Sequence, residues 1–475
     1  MNLASRDKGI DLLRSHFMLF FGGCFAISSA CLFLLIDSSF AGLVTRDPLN
    51  LYSFLMLAMS GVLVIAVSLR NRAMVPSGFL LLLFFLTPFV GISNYHDFVN
   101  VHGSFYGQQA PSFRYPVFIW SVGTLCFFSG VAMVHFLFRA RKTSSIVIWD
   151  LKRVNLFLWL TLGLALFATI IAVSKIGYIP LLKRSIAMDR LKYVDMMGPL
   201  VWRFSNLWLV SGVLASMLFY LEKKQRYCYA LIAGASAVGM TIYGQRTGLV
   251  LICFAFGLFY LKFCRLRLRD ICVISVITAF ILGAFVIQGE IRSGRDVNER
   301  NIRQMITANL FHEWIYYSYV VDDNIDEKHL LGGEIFWGQL GTLVPRQVFD
   351  VFGYDKEKVV KKYNAAFYFG EKFNDPYGIR ITPIGEAFVG YGTLGVIFQM
   401  CLFGLYVGVL ETLYNKLDKR DARLSLVCFL FCLTLYLPLG MLYMILAPIP
   451  QQGLFLGIFY LLASRKRNLI GADGK

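Results

Sequence analysis

Charged residues are scarce in this chain. They make up 16% of its 475 residues, where soluble domains carry roughly 25%. That shortage argues against a soluble helical protein, whose helices need a polar face toward water. Familiar catalytic signatures are missing as well. No Walker loop, no His-Glu-x-x-His helix and no Gly-x-Ser-x-Gly elbow occurs, so the chemistries those motifs serve are not indicated. No internal repeat or low-complexity linker is visible, and neither are the two matching halves with broken helices that mark many transporters. The long loops hold no cysteine: all ten cysteines lie within or at the ends of apolar runs. Cys428 and Cys432 stand four apart, but no His or second pair joins them. The cysteines are expected to be small apolar fillers, with neither a metal nor any other cofactor expected.

What the chain has instead is apolar length. Hydrophobic residues make up 57% and aromatics 16%. Runs of about 18 to 22 residues recur, each long enough to cross a hydrocarbon core of about 30 Å. The spans fall near 16–36, 51–69, 77–93, 116–138, 156–173, 204–221, 228–244, 249–264, 271–287, 393–412, 426–446 and 452–464. The expected fold is therefore an all-α polytopic membrane protein of about twelve transmembrane helices. No small-x-small cleavage site follows the first span, so a retained helix is expected there.

Orientation follows from the short loops. Basic residues crowd alternate loops, among them Arg70/Arg72, Arg139/Arg141/Lys142, Lys223/Lys224/Arg226, Arg265/Arg267/Arg269, Lys416/Lys419/Arg420 and Arg465/Lys466/Arg467. The positive-inside rule puts those loops and both termini in the cytoplasm. The net charge of +17 is thereby explained by helix ends and membrane lipids, and nucleic acid is not an expected partner. The chain divides into a bundle of about nine helices over 1–287, a large non-cytoplasmic segment over 288–392, and C-terminal helices with a cytoplasmic tail over 393–475. The large segment is rich in aromatics that need burial, so a folded cap is expected, with an amphipathic helix over 299–321.

Positive charge on the external side runs against the topological bias and calls for a reason. The loop 174–203 carries Lys175, Lys183, Arg184, Arg190, Lys192 and Arg203, and the turn Gly244-Gln245-Arg246-Thr247-Gly248 sets one arginine at the mouth of a helical hairpin. The large segment adds Arg292, Arg346 and Arg380 among others. Guanidinium groups donate paired hydrogen bonds to phosphate, so an anionic ligand at the outer membrane surface is one reading; lipid headgroups and ion pairs within the loops are the other. An unpaired charge at bilayer depth is costly, and this singles out Arg246. Glu386, at the external entrance of the tenth span, is read either as a general base or as an acid stabilised by a helix N-terminus. His312 is a second candidate base or a structural histidine. The acidic pair Asp322–Asp323 suits either a metal or a solvated loop.

Three patches then resemble the Wzy-type oligosaccharide repeat unit polymerases, also called O-antigen polymerases. They are Gly244-Gln245-Arg246-Thr247-Gly248 opening a helix, Leu343-Val344-Pro345-Arg346 with Tyr363-Asn364 downstream, and Ile384-Gly385-Glu386-Ala387-Phe388-Val389-Gly390-Tyr391-Gly392 before Leu394-Gly395. Gly177-Tyr178-Ile179-Pro180 also fits. The Trp-Pro pair that often follows the Pro-Arg element is replaced by Val348-Phe349-Asp350.

The resemblance implies a bacterial inner-membrane glycosyltransferase with a GT-C-like bundle and a periplasmic active site. Its donor and acceptor would be undecaprenyl-diphosphate-linked oligosaccharides, and its partner a chain-length regulator of the co-polymerase type. On that view Arg246 and Arg346 hold the diphosphate, with Arg184, Arg190, Arg203, Arg292 and Arg380 in reserve. Glu386, then His312, is the base. An O-antigen ligase or other lipid-linked-sugar transferase is the nearest rival, and a polysaccharide flippase or transporter the next.

Overall fold

The computed structural model describes residues 114–137, 146–180, 196–242, 246–264, 312–323, 346–355, 381–421, 423–439, 442–446 and 448–467, with single positions between 77 and 91, between 283 and 287, and between 330 and 344. The expected spans 16–36 and 51–69 lie outside the described residues, as does nearly all of 271–287. The helices are α1 (Arg114–Leu137), α2 (Leu151–Ile176), α3 (Pro199–Ser205), α4 (Leu207–Leu221), α5 (Arg226–Thr241), α6 (Arg246–Phe263), α7 (His312–Asp323), α8 (Arg346–Val351), α9 (Pro383–Lys416), α10 (Arg423–Leu433), α11 (Tyr436–Leu439), α12 (Leu442–Leu446) and α13 (Leu454–Ala463). Four stretches among the described residues are long and apolar enough to cross a membrane: Tyr115–His135, Leu151–Ile176, Leu200–Leu221 and Pro383–Lys416. They form a multi-pass helical membrane protein that divides into two compact units.

The first unit gathers residues up to Ala140, Leu310–Thr412 and Thr434–Ala447. Its central feature is a fold-back inside α9. Tyr391 (φ −140°, ψ 23°) and Gly392 (φ 63°, ψ −154°) leave helical geometry, and the Gly392 values belong to a region essentially reserved for glycine. The side-chain amide of Gln399 donates to the Pro383 carbonyl at 3.1 Å. Along a straight helix those two residues would be about 24 Å apart. Ile384 and Val396 also meet the same spot on α1: a Cβ at Gly123 would lie 3.0 Å and 3.1 Å from them. Residues 383–390 are thus a short half-helix folded antiparallel onto the helix 393–416. Thr382 starts it, with its hydroxyl accepting from Gly385 N at 3.4 Å and Pro383 following at the first helical position. Every residue from Ile381 to Gly390 is buried. Such a broken segment is tolerated at membrane depth only inside protein or beside a water-filled cavity.

The helix 393–416 runs parallel to α1 through glycines. A Cβ at Gly404 would overlap the Phe127 carbonyl, one at Gly130 the Cys401 carbonyl, and one at Gly408 would come within 2.9 Å of Val134. Gly404 and Gly408 form a Gly-x-x-x-Gly spacing, the small-residue stripe that lets membrane helices touch backbone to backbone. The described part of the expected amphipathic helix is α7, which packs on α1. Trp314, Ile315 and all of Tyr317 to Val321 are buried, while Asp323 at its end is exposed. Its aromatics leave no polar face wide enough for water. Tyr317 donates to the Pro116 carbonyl at 2.7 Å, Gly91 closes on the Trp314 ring, and Val320 packs with Ile335, Ile381 and Val389.

The second unit holds Arg141–Asn309, Leu413–Leu433 and Pro448–Lys475. At its centre is α4, where every residue from Leu207 to Leu218 is buried. Two polar contacts join α4 to α2: Trp208 Nε1 donates to Thr169 Oγ1 at 2.9 Å and Ser211 Oγ to Thr161 Oγ1 at 3.1 Å. One end of this unit collects the described stretches of four basic loops. A two-stranded antiparallel ribbon pairs β1 (Ile146–Trp149) with β2 (Ser464–Arg467), and Arg153 donates to the Leu462 carbonyl at 2.9 Å. Asn155, Glu222 and Tyr229 bond to one another. Tyr220 stacks on Phe263 with centroids 5.7 Å apart. Lys262 donates to the Tyr414 and Asn415 carbonyls, at 2.6 Å and 3.3 Å, and Lys419 to Phe263 O at 3.1 Å. The C-termini of α6 and α9 are therefore capped reciprocally by lysine, which suits the negative end of each helix. Among the described residues, the stretches around 146–155, 222–229, 414–420 and 464–467, which charge alone assigned to one side, meet at one end. The opposite end is an apolar cluster of Ala172, Ile176 and Met197 with Tyr178, Val201, Trp202 and Ile242.

Candidate functional site

The candidate residues divide between the two units. In the first, Glu386 lies on the half-helix one turn after Thr382, whose carbonyl accepts from Glu386 N at 2.9 Å. It is 1% exposed. Sequence reasoning set this residue at the entrance of a continuous span; the fold-back carries it into the interior instead, because the chain reverses at Tyr391–Gly392 before the span begins. A Cβ at Gly385 would lie 2.9 Å from the Tyr317 ring, so the half-helix packs directly on α7. His312 is the first residue of α7. The two elements that carry the candidate bases are brought together; the His312 side chain lies outside the described residues. Arg346 opens the six-residue α8, and its side chain is outside the description too.

In the second unit Arg246 is the first residue of α6, again without a described side chain. Arg203 is exposed on α3. Val201, Trp202 and Ile242 belong to one apolar cluster, so α3 adjoins the C-terminal end of α5. Gly248 packs on Met240, which closes the α5–α6 hairpin tightly. Arg184, Arg190, Arg292 and Arg380 lie outside the described residues. Among the described residues no group of three or more His, Cys, Asp or Glu side chains could hold a metal.

Sequence reasoning missed one polar constellation. His135 Nε2 lies 2.8 Å from Glu411 Oε2. The other carboxylate oxygen accepts from Ser77 Oγ at 2.8 Å and Ser77 N at 3.3 Å. The Glu411 side chain is fully buried. One carboxylate thus ties α1 and α9 to the helical stretch that includes Ser77. The hydroxyl is directed at the carboxylate and not at the imidazole, so this is no nucleophilic triad. A signal was present: Glu411 is the one acid in the span 393–412, and His135 the one histidine in 116–138. An ionisable residue inside a span asks for a partner. Glu411→Ala should lower stability by about 3–5 kcal/mol, the usual cost of removing one member of a buried pair, while Glu411→Gln keeps the acceptor for Ser77 and should cost less. Thermal unfolding in detergent measures both; equal melting of Glu411→Ala and wild type would show that the network holds nothing.

The chain matches the family model of the O-antigen polymerases over residues 50–435. No curated protein and no solved structure matches it.

Proposed function

Since the chain belongs to the O-antigen polymerase family and is a multi-pass membrane protein with a role in O-antigen polymerisation, we propose that it joins undecaprenyl-diphosphate-linked repeat units on the periplasmic face of the bacterial inner membrane. The growing oligosaccharide leaves its lipid diphosphate and is transferred to a sugar hydroxyl of a second lipid-linked unit. The observation that carries this reading is the family match, which spans the Arg246 turn, the Pro345-Arg346 element and the Glu386 half-helix alike.

The chemistry suits the residues. A diphosphate is a good leaving group once its charge is stabilised, and arginine supplies that charge without a metal. Arg246 begins the long helix α6, whose N-terminus is the positive end of a helix dipole and favours an anion. Arg346 is the proposed diphosphate ligand of the first unit, and Arg203 a supporting cation of the second. Glu386 is the proposed base for the acceptor hydroxyl, with His312 as the alternative on the adjoining helix. A chain-length regulator of the co-polymerase type is the proposed partner, and both termini are proposed to be cytoplasmic.

Deleting the gene tests the function. The expected surface polysaccharide, resolved on a gel, has lost its ladder and kept a band with a single repeat. Loss of every attached repeat would point to a ligase or a flippase instead.

A further inference from the structure

The chain enters α13 through an unusual turn. Ile449–Gly453 is π-helical, preceded by Pro448 and containing Pro450. Segments of this kind inside helices frequently accompany functional sites. The turn is also not at the surface end of the bundle. Phe459 stacks on Phe157 with centroids 4.3 Å apart, and Arg153 reaches the Leu462 carbonyl, so α13 runs antiparallel to the start of α2. Gln452 lies seven residues before Phe459, about 10 Å further along that direction, whereas α2 continues for about 28 Å beyond Phe157. The π-turn therefore sits within the thickness that α2 spans, where irregular backbone belongs only in protein or beside a cavity.

Gln452 is 5% exposed, and its Oε1 has no hydrogen-bond partner among the described residues. A buried acceptor left without a donor is a standing cost to the fold, and such groups ask for an explanation. The surroundings are aromatic. A Cβ at Gly453 would lie 3.6 Å from the Phe429 ring, and Phe455, one turn on, meets Phe204 at 6.4 Å. A carboxamide offers one acceptor and two donors but no charge. That set matches a hydroxyl, which both donates and accepts, and it suits a diphosphate poorly.

We propose that Gln452 and the aromatic rings about the π-turn form a binding site for a hydroxyl-rich sugar of the lipid-linked oligosaccharide. The site rests on the proposed function, because that function supplies the ligand class. Gln452 contacts the sugar and does no proton chemistry.

The test uses the purified full-length protein and three variants of state: free, with undecaprenyl diphosphate, and with an undecaprenyl-diphosphate-linked oligosaccharide. Wild type should melt higher with the sugar-bearing lipid than with undecaprenyl diphosphate alone. Gln452→Met should melt at or above wild type when free, since an unpartnered polar group is gone, and should lose most of that sugar-dependent increment. Gln452→Asn keeps the carboxamide but withdraws it by one carbon; it should fold normally and lose the increment as well, which decides the matter if the Met variant fails to fold. A full increment in a folded variant overturns the sugar site and leaves the proposed function standing. Absence of any sugar-dependent increment in wild type overturns the lipid-linked-sugar reading, and the site with it.

Discussion

Gly404→Leu should leave little folded protein in the membrane. The α1–α9 contact is backbone against backbone at this point, and even a methyl at 404 would overlap the Phe127 carbonyl. That carbonyl is main chain within α1, so no rotamer change relieves the clash; the two helices must separate. Overpacking by one or two methylenes typically costs 1–3 kcal/mol, and a leucine here should cost on the order of 3 kcal/mol or more. Separation also pulls on Gly130 and Gly408 along the same stripe, and on the Glu411–His135 contact at its end. Gly163→Leu is the matched control. It makes the same chemical change within α2, where nothing lies within 4 Å of the added Cβ. Membrane-fraction abundance and melting temperature are the readouts, and equal behaviour of the two variants would contradict the parallel packing described above.

The second large effect concerns polymer and not protein. Arg246→Ala should abolish long polymer while the protein accumulates normally, since the substitution sits at a helix start and alanine is a good helix former. Removing a donor that stabilises developing charge typically costs 10²–10³ in rate. Arg246→Lys should retain part of the activity, because lysine restores the charge but not the paired hydrogen bonds. Glu386→Gln is the companion experiment. As a base, Glu386 contributes on the order of 10²–10⁴-fold, and the isosteric amide should lose that with the half-helix intact. As a helix N-terminal acid alone it contributes only about 0.3–1 kcal/mol of stability, and polymer would then persist. Gel profiles of surface polysaccharide, normalised to protein in the membrane, separate the two. A wild-type ladder from Arg246→Ala would remove the diphosphate-binding role assigned to that residue.

What the sequence by itself determined is whatever acts locally along the chain. Apolar runs announce membrane helices because each residue enters lipid on its own hydropathy, and four such stretches stand in the described structure. The described stretches around 146–155, 222–229, 414–420 and 464–467, which charge placed together, do meet at one end of the second unit, because arginine and lysine near helix ends cannot follow the chain into hydrocarbon. The Arg246 and Glu386 patches were visible as short motifs.

Only the tertiary structure decided the rest. Nothing in a window around Tyr391 distinguishes a kink from a complete fold-back; Gln399 reaching Pro383 does. Burial of α7 depends on Gly91, Pro116 and Ile381, which lie far away in sequence. Ser77 and His135 meet Glu411 across 334 and 276 residues. Gln452 follows two prolines in the sequence, and only Phe157 against Phe459 fixes its depth. In lipid the hydrophobic effect places a helix in the membrane but does not choose its neighbours. Those are chosen by close glycine contacts and by polar groups that must find one another, and such pairings exist only once the chain has folded.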